Sequence, residues 1–282
     1  MIVTPFNEIQ QLLSKKIPMK LLSKLPNKWE KVGDVLIIVL PSDLNGYKKL
    51  IGKNYAKVLG CKTVLNDTGG IKGEFRQPEV KIIYGQKNTV TIHSENRISF
   101  KLDPQKVMFS SGNMKERIRM AGISNKKETV VDLFAGIGYF TLPIAFYSKP
   151  MKVFACEKNQ IAYDFLCENI VLNNVISIVQ PIKGDSRKTA PKNIADRVIM
   201  GYINKTYKFL PTAIDCLKNF CGIIHYHDLY PLESVPELAI KIVDKIVQEK
   251  KCDFKLLSYS KVKSYAPGIG HFVFDIKIDK NG

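Results

Sequence analysis

Asp132-Leu133-Phe134-Ala135-Gly136-Ile137-Gly138-Tyr139-Phe140 decides the fold. Thr129 to Phe134 reads as a strand that runs straight into a glycine turn, and a helix follows through Leu142 and Ala145. Such a turn lets the backbone approach a bound ligand closely. Outward from it, strands and helices alternate. Val153 to Cys156 is a strand, and Ile161, Phe165, Leu166 and Ile170 line one helix face. A strand pattern runs through Ile176, Ile178 and Ile182, and Arg197 to Met200 and Gly222 to Tyr226 add two more strands. Ser234 with Glu237 forms a capping box, opening a helix in which Leu238, Ile242 and Ile246 recur every four residues. Phe272 to Ile278 alternates like an antiparallel edge strand. The alternation predicts an α/β, Rossmann-like domain with a mostly parallel sheet covered on both faces.

The first hundred residues follow another pattern. Residues 1–30 are amphipathic and basic and read as helical. Gly33 opens a buried strand, Asp34 to Leu40, that Pro41 closes. Val80, Ile82 and Tyr84 alternate, as do Val90 and Ile92, then Ile98, Phe100 and Leu102. Between them Asp67 to Arg76 is a glycine-rich turn leading into charged residues. We expect a smaller α+β domain over residues 1–105 and a cofactor-binding domain over 106–282.

Composition narrows the function. Hydrophobic residues make up 45% of the 282 and charged residues 24%, which excludes a disordered chain. The longest aliphatic run, Val35 to Leu40, falls far short of the ~20 residues that cross a bilayer. Met1 to Lys16 lacks the pattern of a secretory leader, so a cytoplasmic location without membrane attachment is expected. Lys and Arg outnumber Asp and Glu 43 to 26, a net charge of +17. Residues 1–105 carry 17 basic and 9 acidic side chains, and the rest of the excess is spread over the remaining chain. This distribution suits a broad phosphate-contacting face, with nucleic acid as partner, although a generally lysine-rich proteome gives the same sum. The six cysteines show no C-x-x-C pair and no histidines at zinc spacing, so no metal site is indicated; Cys156 and Cys167 read as core residues.

Two cofactors use the strand–glycine turn–helix geometry. A dinucleotide wants a third glycine where this chain has Thr141, and Asp132 would repel its diphosphate. S-adenosylmethionine is cationic and free of phosphate, which removes both conflicts. Glu157 closes the second strand about 20 residues later, where an acid accepts from ribose hydroxyls. Gly184-Asp185-Ser186-Arg187 follows the third strand and places an acid for the adenine amino group. Asp132, Phe134, Gly136, Glu157, Asp185 and Ser186 are therefore the candidate cofactor-binding residues, with the dinucleotide as the alternative.

These segments resemble class I methyltransferases. Phe109-Ser110-Ser111-Gly112-Asn113-Met114-Lys115-Glu116-Arg117, Gly73-Glu74-Phe75-Arg76, and His93-Ser94-Glu95-Asn96 with Phe100 to Asp103 are similar to the archaeal and eukaryotic enzymes that modify guanosine 37 of tRNA. The resemblance covers about residues 30 to 282 and has two branches. One methylates N1 of guanine 37. The other transfers the 3-amino-3-carboxypropyl group of S-adenosylmethionine to a tricyclic guanine derivative, 4-demethylwyosine, in wybutosine synthesis. The methylating branch carries an Asn-Leu-Pro type motif after the fourth strand, where this chain has Met200-Gly201-Tyr202-Ile203-Asn204-Lys205. That departure, with Ile224 to His227 and Tyr265 to Gly268, resembles the aminocarboxypropyl branch. The amino-terminal part also reads as too short for the tRNA-elbow domain that the methyltransferases carry.

The resemblance implies tRNA as partner, bound by its anticodon loop at position 37, and C7 of the base as acceptor. It implies Glu116 as general base and Arg76 as a contact to the base, both catalytic, and Ser110 and Arg117 as contacts to the cofactor carboxylate. Glu116 reads equally as an exposed helix residue paired with Lys115 or Arg119. Gly201 is expected to leave room where the methionine part swings. His225 and His227 read as hydrogen-bonded structural residues or as proton carriers, and Tyr139, Phe140 and Tyr202 as packing or as stacking partners for a flipped base. A guanine-37 methyltransferase and a non-catalytic tRNA-binding module are the rival readings. The oligomeric state stays open, a monomer being compatible.

Overall fold

The computed structural model describes residues 4–203 and 205–280. The chain divides into two compact units, Met1–Glu95 with Ser99–Ser111, and Asn96–Ile98 with Gly112–Gly282.

In the first unit α1 (Pro5–Leu13) begins where the Thr4 hydroxyl accepts from the Asn7 amide, and α2 (Met19–Leu22) follows. The helical reading of residues 1–30 resolves into two short helices, the second opening after Pro18. β1 (Glu30–Val32) and β2 (Val35–Ile38) pair antiparallel, α3 (Lys48–Leu59) crosses over, and β3 (Thr63–Lys72) lies parallel to β2. β4 (Gln77–Gly85) returns antiparallel, giving the order β1-β2-β3-β4. Ile9 and Leu13 of α1 and Ile51 and Tyr55 of α3 pack with Leu36, Ile38 and Val64 as the core. β2 ends two residues early, since the Leu40 amide donates to Asn66 Oδ1 at 2.8 Å instead of extending the ladder. The glycine-rich segment is mostly strand: β3 bulges between Asp67 and Ile71, and Asp67 Oδ1 accepts from the Gly69 and Gly70 amides.

β5 (Thr91–Glu95) and β6 (Ile98–Leu102) form a two-stranded ribbon. β6 buries Ile98, Phe100 and Leu102, as the alternation requires. β5 is turned over relative to its sequence reading, with Thr91 and Glu95 inside and Ile92 51% exposed. Thr91 Oγ1 accepts from the Asp34 amide at 3.1 Å, so the polar side chain has an internal partner that hydrophobicity does not register.

The second unit comprises α4 (Met114–Met120), β7 (Thr129–Asp132), α5 (Thr141–Pro143) continuing into a π-helical turn over Ile144–Ser148, β8 (Lys152–Glu157), α6 (Gln160–Leu172), β9 (Val179–Lys183), α7 (Ser186–Thr189) and β10 (Arg197–Met200). α8 (Leu210–Cys216), β11 (Gly222–Pro231), α9 (Glu237–Glu249), β12 (Cys252–Ala266) and β13 (Ile269–Lys280) complete it. The sheet order is β12-β13-β11-β10-β7-β8-β9. β9, β8, β7, β10 and β11 run parallel, while β13 and β12 run antiparallel to their neighbours. β7 and β10 are buried along their whole length, as central strands covered on both faces must be.

Four expectations are corrected here. β9 starts at Val179, and Ile176 sits in the preceding turn, 68% exposed. β11 continues to Pro231, because β13 pairs with it from Gly222 to Pro231 and Tyr226 OH donates to Asp228 Oδ2 at 3.0 Å, satisfying a polar residue inside the sheet. β13 is not the edge: β12, rich in Lys and Ser, lies outside it. The capping box does not form, since α9 starts after Pro236 and the Ser234 hydroxyl donates to Pro231 O in a 3-10 turn. Ala239, Val243 and Val247 form the deepest face of α9, one residue on from the expected stripe. No helix among the described residues is long and apolar enough to cross a membrane.

Ile224, fully buried in β11, and exposed Ile176 test this core. Ile224→Ala is expected to cost about 2–5 kcal/mol in denaturant titrations, whereas Ile176→Ala is expected to stay within about 0.5 kcal/mol.

Candidate active site

The sheet grows outward from β7 through β8 to β9, then returns to β10 on the other side of β7. The carboxyl ends of β7 and β10 therefore diverge at a topological switch point, where open α/β sheets leave a crevice for ligands. Asp132 ends β7, Glu157 ends β8, Asp185 follows β9 and Gly201 follows β10. Four successive strand ends thus bring together residues far apart in the chain.

Asp132 is fully buried; its Oδ2 accepts from Thr141 Oγ1 at 2.7 Å and its Oδ1 from the Phe134 amide at 3.1 Å. Burial, reinforced by Glu157, pushes its carboxyl up to about 6 against the pull of those two donors. Gly136 (φ 58°) and Gly138 (φ 103°) make the turn, and a Cβ on either would strike Tyr139 or Leu142. Glu157 spans the turn from outside: Oε2 accepts from the Gly136 amide at 2.8 Å and Oε1 from the Asn159 amide at 2.6 Å. Burial raises the Glu157 carboxyl, and these amides work the other way.

Asp185 caps α7 and accepts from the Arg187 amide and guanidinium, which hold it down at about 2. Arg187 also lies 4.9 Å from the Phe209 ring centroid. Ser186 is buried at the first position of α7. Phe134 stacks on Tyr202 with centroids 5.1 Å apart and meets Phe209 edge-on.

Glu116, on α4, is buried and paired, which corrects the exposed-helix alternative while keeping its Arg119 partner. Arg119 donates from Nε to Oε2 at 2.9 Å and from Nη2 to Oε1 at 2.7 Å, a bidentate fork at (i, i+3) spacing. Its Nη1 donates to Asp275 Oδ2 at 2.8 Å. Asp275 Oδ1 lies 2.6 Å from His225 Nδ1, and His225 Nε2 lies 2.8 Å from Arg197 Nη1, which in turn belongs to a guanidinium forked onto Glu128 at 3.0 Å. Burial raises the Glu116 carboxyl, and the Arg119 fork offsets only part of that rise. Burial also opposes charge on Asp275, but His225, Arg119 and Ser258 outweigh it and hold that carboxyl well below its usual range.

The aromatic residues pack. Phe140 is buried and lies over His227, with ring centroids 5.2 Å apart, and Tyr202 lies on Phe134. The volume beside Gly201 is not open as expected: a Cβ there would come within 2.7 Å of Phe140 Cε2, so the missing side chain accommodates that ring. Asn204 of the same segment lies outside the described residues. Arg117 is buried on α4, and its charge works on the Tyr139 phenol against burial and Glu157, which places it by the glycine turn. Arg76 sits at the β3–β4 turn with φ 53°, and Ser110 is half-buried; both belong to the amino-terminal unit. Cys156 is buried and Cys167 half-buried, and no metal-ligating group of three or more His, Cys, Asp or Glu occurs among the described residues.

Sequence reasoning named Arg119 only as a surface partner of Glu116 and missed Asp275, His271 and the Arg197–Glu128 pair. His225 and His227, two apart on a strand, share a face, which was a readable signal. Their partners on β13 required the register His225↔Asp275 and Leu229↔His271.

Asp132 and Glu157 accept from a hydroxyl and from backbone amides, leaving carboxylate charge at the crevice. That donor set suits a cationic cofactor and is wrong for a diphosphate. Residues 91–255 match the TRM5/TYW2 methyltransferase domain family, and residues 9–89 match the TYW2 N-terminal domain family. The chain is 44% identical, over 97% of both chains, to a Pyrococcus horikoshii protein named tRNA(Phe) (4-demethylwyosine(37)-C(7)) aminocarboxypropyltransferase. A Methanocaldococcus jannaschii protein of the same name is 47% identical over 90% of this chain and 98% of its own. The crystal structure of P. horikoshii TYW2 in complex with MeSAdo superposes with a TM-score of 0.88 at 42% identity, covering 98% of this chain and 100% of that one.

The raised Asp132 carboxyl makes a signed prediction. A carboxyl whose affinity for its proton is higher folded than unfolded favours the folded state at low pH, and that advantage is lost as pH rises through about 6. The stability of the wild type relative to Asp132→Asn is therefore expected to fall by up to about 3 kcal/mol between pH 4 and pH 7. A difference that does not change with pH, in denaturant titrations of both proteins, would overturn it.

Proposed function

Since this chain belongs to the TRM5/TYW2 methyltransferase domain family, we propose that it transfers the 3-amino-3-carboxypropyl group of S-adenosylmethionine to C7 of 4-demethylwyosine at position 37 of tRNA(Phe). The observation that carries this reading is the match, over 97% of both chains, to a relative named for that reaction. Methylthioadenosine is what remains of S-adenosylmethionine after such a transfer, and it fits the ligand of the P. horikoshii structure. When bound, S-adenosylmethionine supplies an electrophilic γ-carbon and a thioether leaving group.

The chain's own residues then have the following work. Asp132 and Glu157 provide negative charge and acceptors beside the Gly136–Gly138 turn, Glu157 for the ribose hydroxyls. Asp185 accepts from the adenine amino group while paired with Arg187. Phe134 and Ser186 line the same crevice, and Arg117 holds the cofactor carboxylate through charge-assisted hydrogen bonds. Glu116 takes the proton from the ring carbon; burial raises its basicity toward a useful range, and the Arg119 fork fixes its plane. Arg76 contacts the base.

The tRNA is held by its anticodon loop. A net charge of +17 supplies the attraction to its phosphates, and the amino-terminal part of the chain, residues 1–105, contributes an RNA-facing surface with a basic surplus. An enzyme acting on tRNA is expected to work in the cytoplasm.

Methyl and aminocarboxypropyl transfer differ only in which carbon of one sulfonium faces the base, so the leaving product separates them. Incubation with tRNA bearing 4-demethylwyosine is expected to release methylthioadenosine; adenosylhomocysteine would establish methylation instead. Glu116→Gln is expected to lower kcat by about 10²–10⁴ while leaving S-adenosylmethionine affinity unchanged by calorimetry. That affinity in the wild type is expected to weaken as pH falls below about 6, where Asp132 becomes neutral.

A further inference from the structure

Glu116 shares its buried pocket with a second ionisable group. His227 is fully buried under the Phe140 ring, with its Nδ1 3.1 Å from His271 Nε2. Its Nε2 makes no hydrogen bond and lies 3.5 Å from Glu116 Oε1. A buried polar atom left without a hydrogen bond costs about 1–3 kcal/mol, so a fold that keeps one beside a carboxylate has a use for it. We propose that His227 receives the proton that Glu116 removes from the ring carbon and shares it with His271, acting as a positioning residue for proton removal.

This inference rests on the function proposed above. In that transfer a carbon–carbon bond forms between the base and the cofactor γ-carbon. The γ-carbon–sulfur bond breaks, and its electron pair goes to sulfur. The ring carbon then holds one hydrogen too many; Glu116 takes it as a proton, and the bonding pair returns to the ring. From the carboxylic acid the proton passes to the Nε2 lone pair of His227, which restores the carboxylate. The Nδ1 proton of His227 is meanwhile shared with His271 Nε2. One positive charge disappears from sulfur and one appears on the imidazole pair, so the charge of the site is conserved.

The groups facing His227 set how tightly it holds that proton. Arg119 from α4, His225 on the same strand and His271 from β13 oppose a positive ring, while Glu116 and Asp275 favour it. Burial is the largest influence and, with those three groups, keeps His227 neutral at rest. A neutral ring that donates Nδ1–H to His271 presents its lone pair to Glu116, which is the state needed to accept. A ring that holds its proton weakly passes it on and is ready for the next turnover.

His227→Gln keeps an amide near the position of Nε2 but cannot accept a proton. We expect kcat to fall about tenfold or more, KM for cofactor and tRNA to stay within about twofold, and the acid limb of the kcat–pH profile to shift. Wild-type rates with an unmoved pH profile would overturn the proposal. Independently of turnover, nitrogen NMR of histidine-labelled protein should show His227 Nε2 responding to the titration of Glu116, with that step lost in Glu116→Gln. An Nε2 signal blind to Glu116 would also overturn it, including where His227→Gln does not fold. If the wild type releases adenosylhomocysteine, the proposed function fails, yet this titration still decides whether the two groups share a proton.

Discussion

Arg119 joins two carboxylates from distant parts of the chain, Glu116 being its own helical neighbour and Asp275, 156 residues from Arg119, coming from β13. Its guanidinium ties α4 to the antiparallel side of the sheet and gives both acids a cation. Without that cation, the two acids would repel each other. The rest of the site is consistent with this constraint. Asp275 stays ionised and orients His225, His225 meets Arg197, and Arg197 is neutralised by Glu128. Each charged group along this chain of contacts meets one of opposite sign, and burial holds the His225 imidazole between Asp275 and Arg197 towards its neutral form.

Such a network is not there mainly for stability. Burying charge costs several kcal/mol per ion, and well-packed apolar side chains often do as well, although removing one partner costs about 3–5 kcal/mol. What the network provides is fixed orientation. A sulfonium offers three carbons to a nucleophile, and a displacement of about 1 Å can change a rate a hundredfold. The reaction outcome is therefore a matter of where rigid groups stand. Phe140 shows how tightly the parts are coupled: its ring occupies the space a side chain at position 201 would need and covers His227, which borders Glu116. The end of β10 is thereby linked to Glu116 on α4 through two ring contacts.

The two carboxylates at the glycine turn act on a different principle. Asp132 and Glu157 are tied by a hydroxyl and by backbone amides and not by cations, so their charge remains available to a cationic ligand. Asp185 differs, since Arg187 already answers its charge. The same residue type thus serves as charge donor in two places and as a neutralised acceptor in the third, and the difference lies wholly in what stands beside it.

Much of the second unit was legible in the chain itself. The strand–glycine turn–helix of residues 129–145, the acids at 132, 157 and 185 and the buried strands β7 and β10 follow from local rules, because period, turn chemistry and strand-end position are properties of neighbouring residues. Where local rules failed, a partner distant in sequence had overridden them. Thr91 turned inward to meet Asp34, β12 formed from lysine and serine because β13 offered a free edge, and Ser234 gave up its cap for Pro231. The cluster around Glu116 was the least readable. Glu116 and Arg119 share a helix and His225 and His227 a strand, but only the β11–β13 register puts Asp275 and His271 against them. The sequence by itself determined which acids end the parallel strands, since alternation and glycine placement are local. Only the tertiary structure decided which cations and imidazoles those and the other buried acids meet, since that depends on how strands tens of residues apart are aligned.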